Sequence, residues 1–500
     1  MKEGCFGVLR STIPPISPAA FSSLITGKNP GKHGVFSFGH FKDGFFTPYT
    51  STCIKGEALW DILSTIDKKS ILLNVPLTFP PYEINGIMIS GFPAQRLFET
   101  TSYPSDLISF LRSKIGDYHV DIQYLKSDYE GIHEKKFLDE AYYVTQKRVE
   151  AMQFLMENYD WDFFMMVETS LDRIQHLLFG YFDKESPYYD EEKREVLIKY
   201  YKKIDSILGK IVSLIDENAI LIVVSDHGFE PLYKYVGINN LLVQGGFTKN
   251  VWKFQTSASK WMVKILKFLQ GKGINTYKFL SSNMILKVKK EISLRYDFAS
   301  SKAYSTSGLS IFINKHFKDK TYESIKRRLT EFLYSVIDEE NGERIVEKIY
   351  NKDEIYWGNH LNDAPDLTIV LKKGYEPKAF RNCIIENLSQ VKRKVKRGTH
   401  AGFSAQRGLF IISGRGVKKG SLTEVNIVDI APTIMYILGA PIPSDTDGRV
   451  LREIFEPDSK FAKEPITYEE VTVKKKEETL QLSKGREAII EERLRKLGYI

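Results

Sequence analysis

Asp226 and His227 follow directly on an apolar run, Ile220 to Val224, in the sequence Ser225-Asp226-His227-Gly228. Five continuous aliphatic residues predict a buried parallel strand. Side chains at its carboxyl end fall where open α/β sheets bind their ligands. Asp172 and His176 follow a second apolar run, Phe163 to Val167. Their spacing of four puts both side chains on one face of a helical turn. A third imidazole, His400, stands in the Gly-rich stretch from Arg397 to Gly402. Two Asp/His pairs and a further His make a nitrogen-and-oxygen ligand set suited to zinc, manganese or iron. Any one pair alone reads more simply as a braced helix or a capping acid. All of them at strand ends of one α/β chain favour a metal.

A hydroxyl completes the candidate chemistry. Ser17 precedes Pro18, and Gly27 closes the segment, which reads as N-cap, first helical residue and stop. A serine there sits among free backbone N–H groups at the positive end of the helix dipole, a place that favours phosphate. A nearby metal lowers the hydroxyl's pKa and makes it a nucleophile. The plain alternative is a capping serine. Lys28 and Lys32 lie in a Gly/Pro-containing stretch that lacks the GxxxxGK[ST] spacing and follows a helix, which excludes a P-loop.

The elements that must position these residues belong to a large chain of ordinary composition. Its 500 residues are 42% hydrophobic and 27% charged, enough for a sizeable core and two or more structural units. A net charge of +8 is modest at this length and suits a small anionic substrate better than a nucleic-acid polymer. Cys5, Cys53 and Cys383 show no CxxC spacing, so a reducing, cytoplasmic setting is expected without a disulfide framework. No apolar run reaches membrane-spanning length.

Residues 1–7 read as the end of a helix. Short strands are expected at Ser70–Val75 and Gly86–Ser90, and a long amphipathic helix from Pro187 to Asp216 feeds the strand before Asp226. The division expected is a catalytic core over 1–232, an inserted cap over 233–397, the rest of the core over 398–452 and a charged extension over 453–500. The cap holds a basic amphipathic segment, Lys253–Leu280, and a β-α-β set at Leu309–Ile313, Ser324–Val336 and Leu367–Leu371. The extension, with its run Lys474 to Glu478, reads as a short charged helix in a solvated tail.

Several motifs together resemble the type I phosphodiesterase/nucleotide pyrophosphatase family of the alkaline phosphatase superfamily. They are Ser17-Pro18 with Thr26-Gly27, Pro30 and His33-Gly34; then Asp172 with His176; then Ser225 to Gly228; then Gly398 to His400. Asn74 to Pro76, Ala364 to Leu367 and Asp429 to Thr433 extend the likeness to about Leu451. The resemblance implies an α/β, three-layer sandwich with a mostly parallel central sheet and an inserted cap. It also implies two divalent cations, zinc first with manganese or iron as alternatives. By carry-over Asp172, His176 and His400 hold one cation, and Ser17, Asp226 and His227 hold the other. Ser17 is then the catalytic nucleophile, acting through a covalent phosphoseryl intermediate.

Two departures qualify the carry-over. The family's first strand brings an additional metal-binding Asp ahead of the nucleophile; that strand has no counterpart here, and residues 1–16 contain no Asp. Nucleotide pyrophosphatases place an Asn shortly after the His-Gly pair, where this chain has Phe38. The sulfatase and cofactor-independent phosphoglycerate mutase nucleophile motifs are absent. The expected activity is therefore hydrolysis of phosphodiester or pyrophosphate bonds in small anionic, nucleotide-like substrates. Within enzymes the alternative is a phosphomonoesterase or phosphonate hydrolase. From another class it is a metal-compromised binding protein.

Overall fold

The structure, a computed structural model, describes residues 4–42, 45–94, 101–124, 132–250, 296–317, 321–381, 383–390, 396–473 and 484–497. Lys253–Leu280 and the run 474–478 lie outside the described residues.

Strand β1 (Gly4–Arg10) leads through residues 11–16 into helix α1 (Ser17–Thr26). Strands β2 (Ser70–Val75), β3 (Gly86–Ser90) and β4 (Ser102–Tyr103) follow. Strand β5 (Phe163–Met166) runs into helix α2 (Ser170–Phe182), and helix α3 (Glu191–Leu214) precedes β6 (Ile220–Val224). After β7 (Glu230–Gly237) the chain leaves the core, returning with β8 (Arg407–Gly414) and β9 (Gly420–Asn426). Helix α4 (Lys484–Lys496) is the last described element. The fold is α/β, with four strands paired in the order β9-β1-β8-β6 and four in the order β4-β3-β2-β5.

The segment at residues 4–7, expected as a helix end, is the start of β1. The strand runs antiparallel to β8, with Gly4 opposite Ser413 and Arg10 opposite Arg407, and parallel to β9. Its glycines mark close approach rather than a turn: a Cβ on Gly4 would lie 2.2 Å from the Ile412 carbonyl oxygen. Both partners are remote in sequence, so nothing local announces the strand.

Strand β6 also departs from expectation. It pairs antiparallel with β8, Val224 opposite Phe410, and it is half-buried. Strand β5, equally apolar, pairs parallel with β2 and is half-buried too. Among the described residues each of these strands is hydrogen-bonded on one side only. Both pack on the main core, where Leu9, Leu24, Trp60, Leu72, Phe410 and Ile412 are buried.

The extension is not a solvated tail. Ile490, Leu494 and Leu497 of α4 and its end are buried in a second core together with Ile174, Leu177 and Leu178 of α2. The i, i+4, i+7 spacing of these three residues is an apolar stripe that the surrounding charge conceals.

Between β7 and His400, strands Ala303–Ser305, Ser310–Ile313, Leu367–Leu371 and Val346–Asn351 form one antiparallel sheet. Helix Tyr322–Ser335 packs on it through Ile325, Leu329 and Leu333. These ranges lie within two residues of the expected β-α-β set. Among the described residues no helix is long and apolar enough to cross a membrane.

Candidate active site

Ser17 heads α1, Asp172 and His176 lie in the first two turns of α2, Asp226 and His227 follow β6, and His400 follows the short strand Gly398–Thr399. Helix α1 starts at Ser17, with Ile16 in the capping position, so Ser17 is one residue further in than expected. Ile16 gives no side-chain cap, and the Ser17 hydroxyl lies 3.3 Å from His227 Nε2. Gly27, at φ 69°, closes the helix in the left-handed conformation that its sequence position implied.

Hydrogen bonds to backbone carbonyls orient all three imidazoles. His176 Nδ1 donates to Gly398 O, His227 Nδ1 to Gly228 O and His400 Nδ1 to Pro15 O, each at 3.0 Å. A carbonyl can only accept, so each Nδ1 carries the proton and each Nε2 presents a lone pair. Burial holds His176 and His400 well below the ordinary imidazole pKa, which keeps both neutral, the form that ligates metals. Phe229 packs against all three rings.

The carboxylates face those lone pairs. His176 Nε2 stands 3.6 Å from Asp172 Oδ1, and His227 Nε2 stands 3.4 Å from Asp226 Oδ2. Asp226 Oδ2 is buried and has no hydrogen-bond partner among the described residues. Burial raises the Asp172 carboxyl above its ordinary range, against the pull of Arg173. Two acceptors at such separations repel unless a cation lies with them, and burying them together is costly. The donor set therefore fits a divalent ion, with carbonyl-anchored imidazoles of the kind that metal sites use.

One ligand atom each of Asp172, His227 and His400 lie within 4.8 Å of one another. This triplet is drawn from both of the carried-over sets: Asp172 and His400 were expected on one cation and His227 on the other. His176 adjoins it, its ring centroid 5.1 Å from that of His400.

The neighbouring basic and imidazole candidates have structural duties. Lys28 is buried against Asp445 at 2.7 Å, and Lys32 pairs with Asp447 at 2.6 Å. His33, fully buried, accepts from Val35 N–H and contacts the Ser23 hydroxyl at 3.0 Å, which stabilises its loop. Lys396 is different. It lines a cleft with Ile16, Phe38, Leu309, Lys378 and His400. Lys378 and Lys396 both reach Glu376 Oε1 at 3.0 Å, so two ammonium groups share one carboxylate.

Sequence reasoning missed Arg173, which donates to Asp172 Oδ2 at 2.6 Å and to Asp121 Oδ2 at 3.0 Å. Its only signal is adjacency to Asp172. Asp121 lies in a stretch with no motif at all.

Residues 1–398 match the family described as type I phosphodiesterase / nucleotide pyrophosphatase, and the chain belongs to that family. Among curated proteins none matches the sequence. Similar solved structures include phosphonoacetate hydrolase from Sinorhizobium meliloti 1021, with phosphonoformate bound. It is 12% identical, with 88% of this chain and 87% of that chain covered and a TM-score of 0.50. Murine ectonucleotide pyrophosphatase / phosphodiesterase 5 gives 11% identity, 91% and 92% coverage and a TM-score of 0.49. Wild-type alkaline phosphatase PafA gives 14%, 91% and 92%, and 0.49. The likeness to the phosphonoacetate hydrolase is one of fold, and it agrees with the α/β architecture described above.

Proposed function

We propose that the chain is a metal-dependent hydrolase that cleaves phosphodiester or pyrophosphate bonds in small anionic, nucleotide-like substrates, with Ser17 as nucleophile. One observation carries the reading: the Ser17 hydroxyl, at the head of α1, lies 3.3 Å from a lone-pair-bearing Nε2 of the Asp172–His227–His400 group. Asp172, His176, Asp226, His227, His400 and Ser17 are the residues to hold two cations, zinc in the first instance and manganese or iron otherwise. Bound there, the cations supply Lewis-acid stabilisation of phosphoryl charge and activation of a hydroxyl.

The protein's own groups do the rest. Ser17 Oγ forms a bond to phosphorus as the bond to the leaving oxygen breaks, and water then cleaves the phosphoseryl ester. The N-terminal end of α1 places positive dipole charge beside the phosphoryl oxygens. Carbonyl anchors on each Nδ1 keep the imidazoles from turning when substrate arrives. Lys378 and Lys396 bring positive charge to this cleft beside Glu376, which supports an anionic substrate, with Phe38 and Leu309 offering an apolar wall.

Phe38 supports a second reading. A chain without the Asn of nucleotide pyrophosphatases suits a phosphomonoester or a phosphonate equally well. The test is a panel of nitrophenyl monoesters, diesters and phosphonates, with metals varied and an acid quench to trap phosphoserine. Label on Ser17 and a ranking of the three substrate types decide among the enzyme readings. A folded, metal-loaded chain that turns over none of them is a binding protein.

A further inference from the structure

Beyond the residues that would hold metal, a buried chain of charges runs from α4 to Asp172. Arg493 of α4 donates through Nη2 to Asp121 Oδ2 at 3.0 Å, and also to the Ile122 carbonyl. The same Asp121 oxygen receives Arg173 through Nε at 3.2 Å and Nη2 at 3.0 Å. Arg173 Nη1 then reaches Asp172 Oδ2 at 2.6 Å, while Asp172 Oδ1 faces His176 at 3.6 Å. Asp121, Arg173 and Arg493 are each at most 4% exposed.

We infer that Arg493 is a positioning residue for Asp172, so that the docked terminal helix is part of the hydrolytic site; this rests on the metal-hydrolase reading above. Both guanidinium groups, Arg173 and Arg493, bond the same oxygen of Asp121, with Arg148 adding positive charge from further off. Without Arg493, Asp121 draws more heavily on Arg173, the guanidinium it shares with Asp172. The guanidinium then shifts toward Asp121, and Asp172 loses the contact that fixes its rotamer. Outer partners of this kind set the orientation of ligating groups. Arg493 also lies outside residues 1–398, the span matching the family.

The experiment uses the full chain. Arg493→Met keeps the apolar stem, Arg493→Lys keeps the charge, and Ile490→Ala loosens the same helix without touching a charge. Affinity for Co2+ is measured by competition with a chromogenic chelator, and the cobalt absorption spectrum reports ligand geometry. Arg493→Met is expected to weaken affinity roughly tenfold or more and to alter the spectrum. Arg493→Lys should recover part of both. Ile490→Ala should lower the melting temperature and leave affinity within about twofold. A second arm needs no variant: coupling is reciprocal, so adding Co2+ to the wild type should slow amide exchange in residues 484–497. Unchanged cobalt affinity in Arg493→Met overturns the inference; should that variant not fold, unchanged exchange of the helix on metal binding overturns it. A wild-type chain that binds no divalent ion instead overturns the hydrolase reading on which it stands.

Discussion

The rings of His227 and His400 lie stacked, with centroids 4.0 Å apart and 20° between their planes. Each ring has its Nδ1 tied to a carbonyl, so two Nε2 lone pairs are gathered beside the Asp172 carboxylate. An ion bound only by the native state adds stability, about 2.7 kcal/mol at roughly 100 times its Kd. Asp172→Ala should therefore lose bound metal together with most of the zinc-dependent rise in melting temperature. Elemental analysis beside calorimetry checks this, and unchanged stoichiometry in the variant removes Asp172 from the site.

Glu230 supplies a pH dependence. It is buried on β7, where the Ser404 hydroxyl donates to Oε2 at 2.6 Å and Oε1 has no hydrogen-bond partner among the described residues. Burial pushes its carboxyl up to about 7. The native state therefore keeps a proton that the unfolded chain releases near its ordinary value. Its stabilising effect is complete below that value and is lost as pH rises through 7, roughly 3 kcal/mol in all. Glu230→Gln, neutral throughout and still able to accept from Ser404, should flatten that decline and be the more stable protein at about pH 8. Urea unfolding at about pH 5, 6.5 and 8 measures it; parallel pH profiles for the two proteins would contradict the assignment.

How much was legible depended on how local each signal is. The strand before Asp226, the turn joining Asp172 to His176 and the helix after Ser17 were readable because spacing and punctuation lie within a few residues. Strand β1 was not, because Gly4 and Gly7 are explained only by Ile412 and Leu422, far along the chain. Antiparallel pairing of β6 with β8 is likewise invisible in an aliphatic run that fits either direction. The docking of α4 was hidden by composition: Arg493 counts as surface charge until Asp121 is seen opposite it. Asp121, in turn, has meaning only through two arginines distant in sequence.

The cleft beside His400 leads to a prediction about selectivity. Lys378 and Lys396 come from the region expected to cap the core, and changes there should alter substrate choice more than the chemical step. Lys378→Met is expected to raise KM for a nucleoside triphosphate roughly tenfold relative to a singly charged nitrophenyl diester, about 1.4 kcal/mol. Steady-state kinetics on both substrates tests it. Equal losses on the two would make Lys378 a structural residue.

The last prediction separates a reacting Ser17 from one that merely opens a helix. A capping serine costs roughly 0.5–2 kcal/mol when replaced by alanine, and activity survives if the protein stays folded. Ser17 is the first residue of α1 rather than its cap, and its hydroxyl is directed at His227, so even that stability cost should be small. Ser17→Ala should instead abolish turnover while Asp172, His176 and His400 still bind metal. Ser17→Thr tests the chemistry from the other side, because a threonine hydroxyl can make the same attack where its extra methyl fits beside His227. Metal content, melting temperature and turnover measured on the same preparations distinguish the cases. Retained turnover by a folded Ser17→Ala protein would show that water attacks phosphorus directly, and Ser17 would then be left with a structural part only.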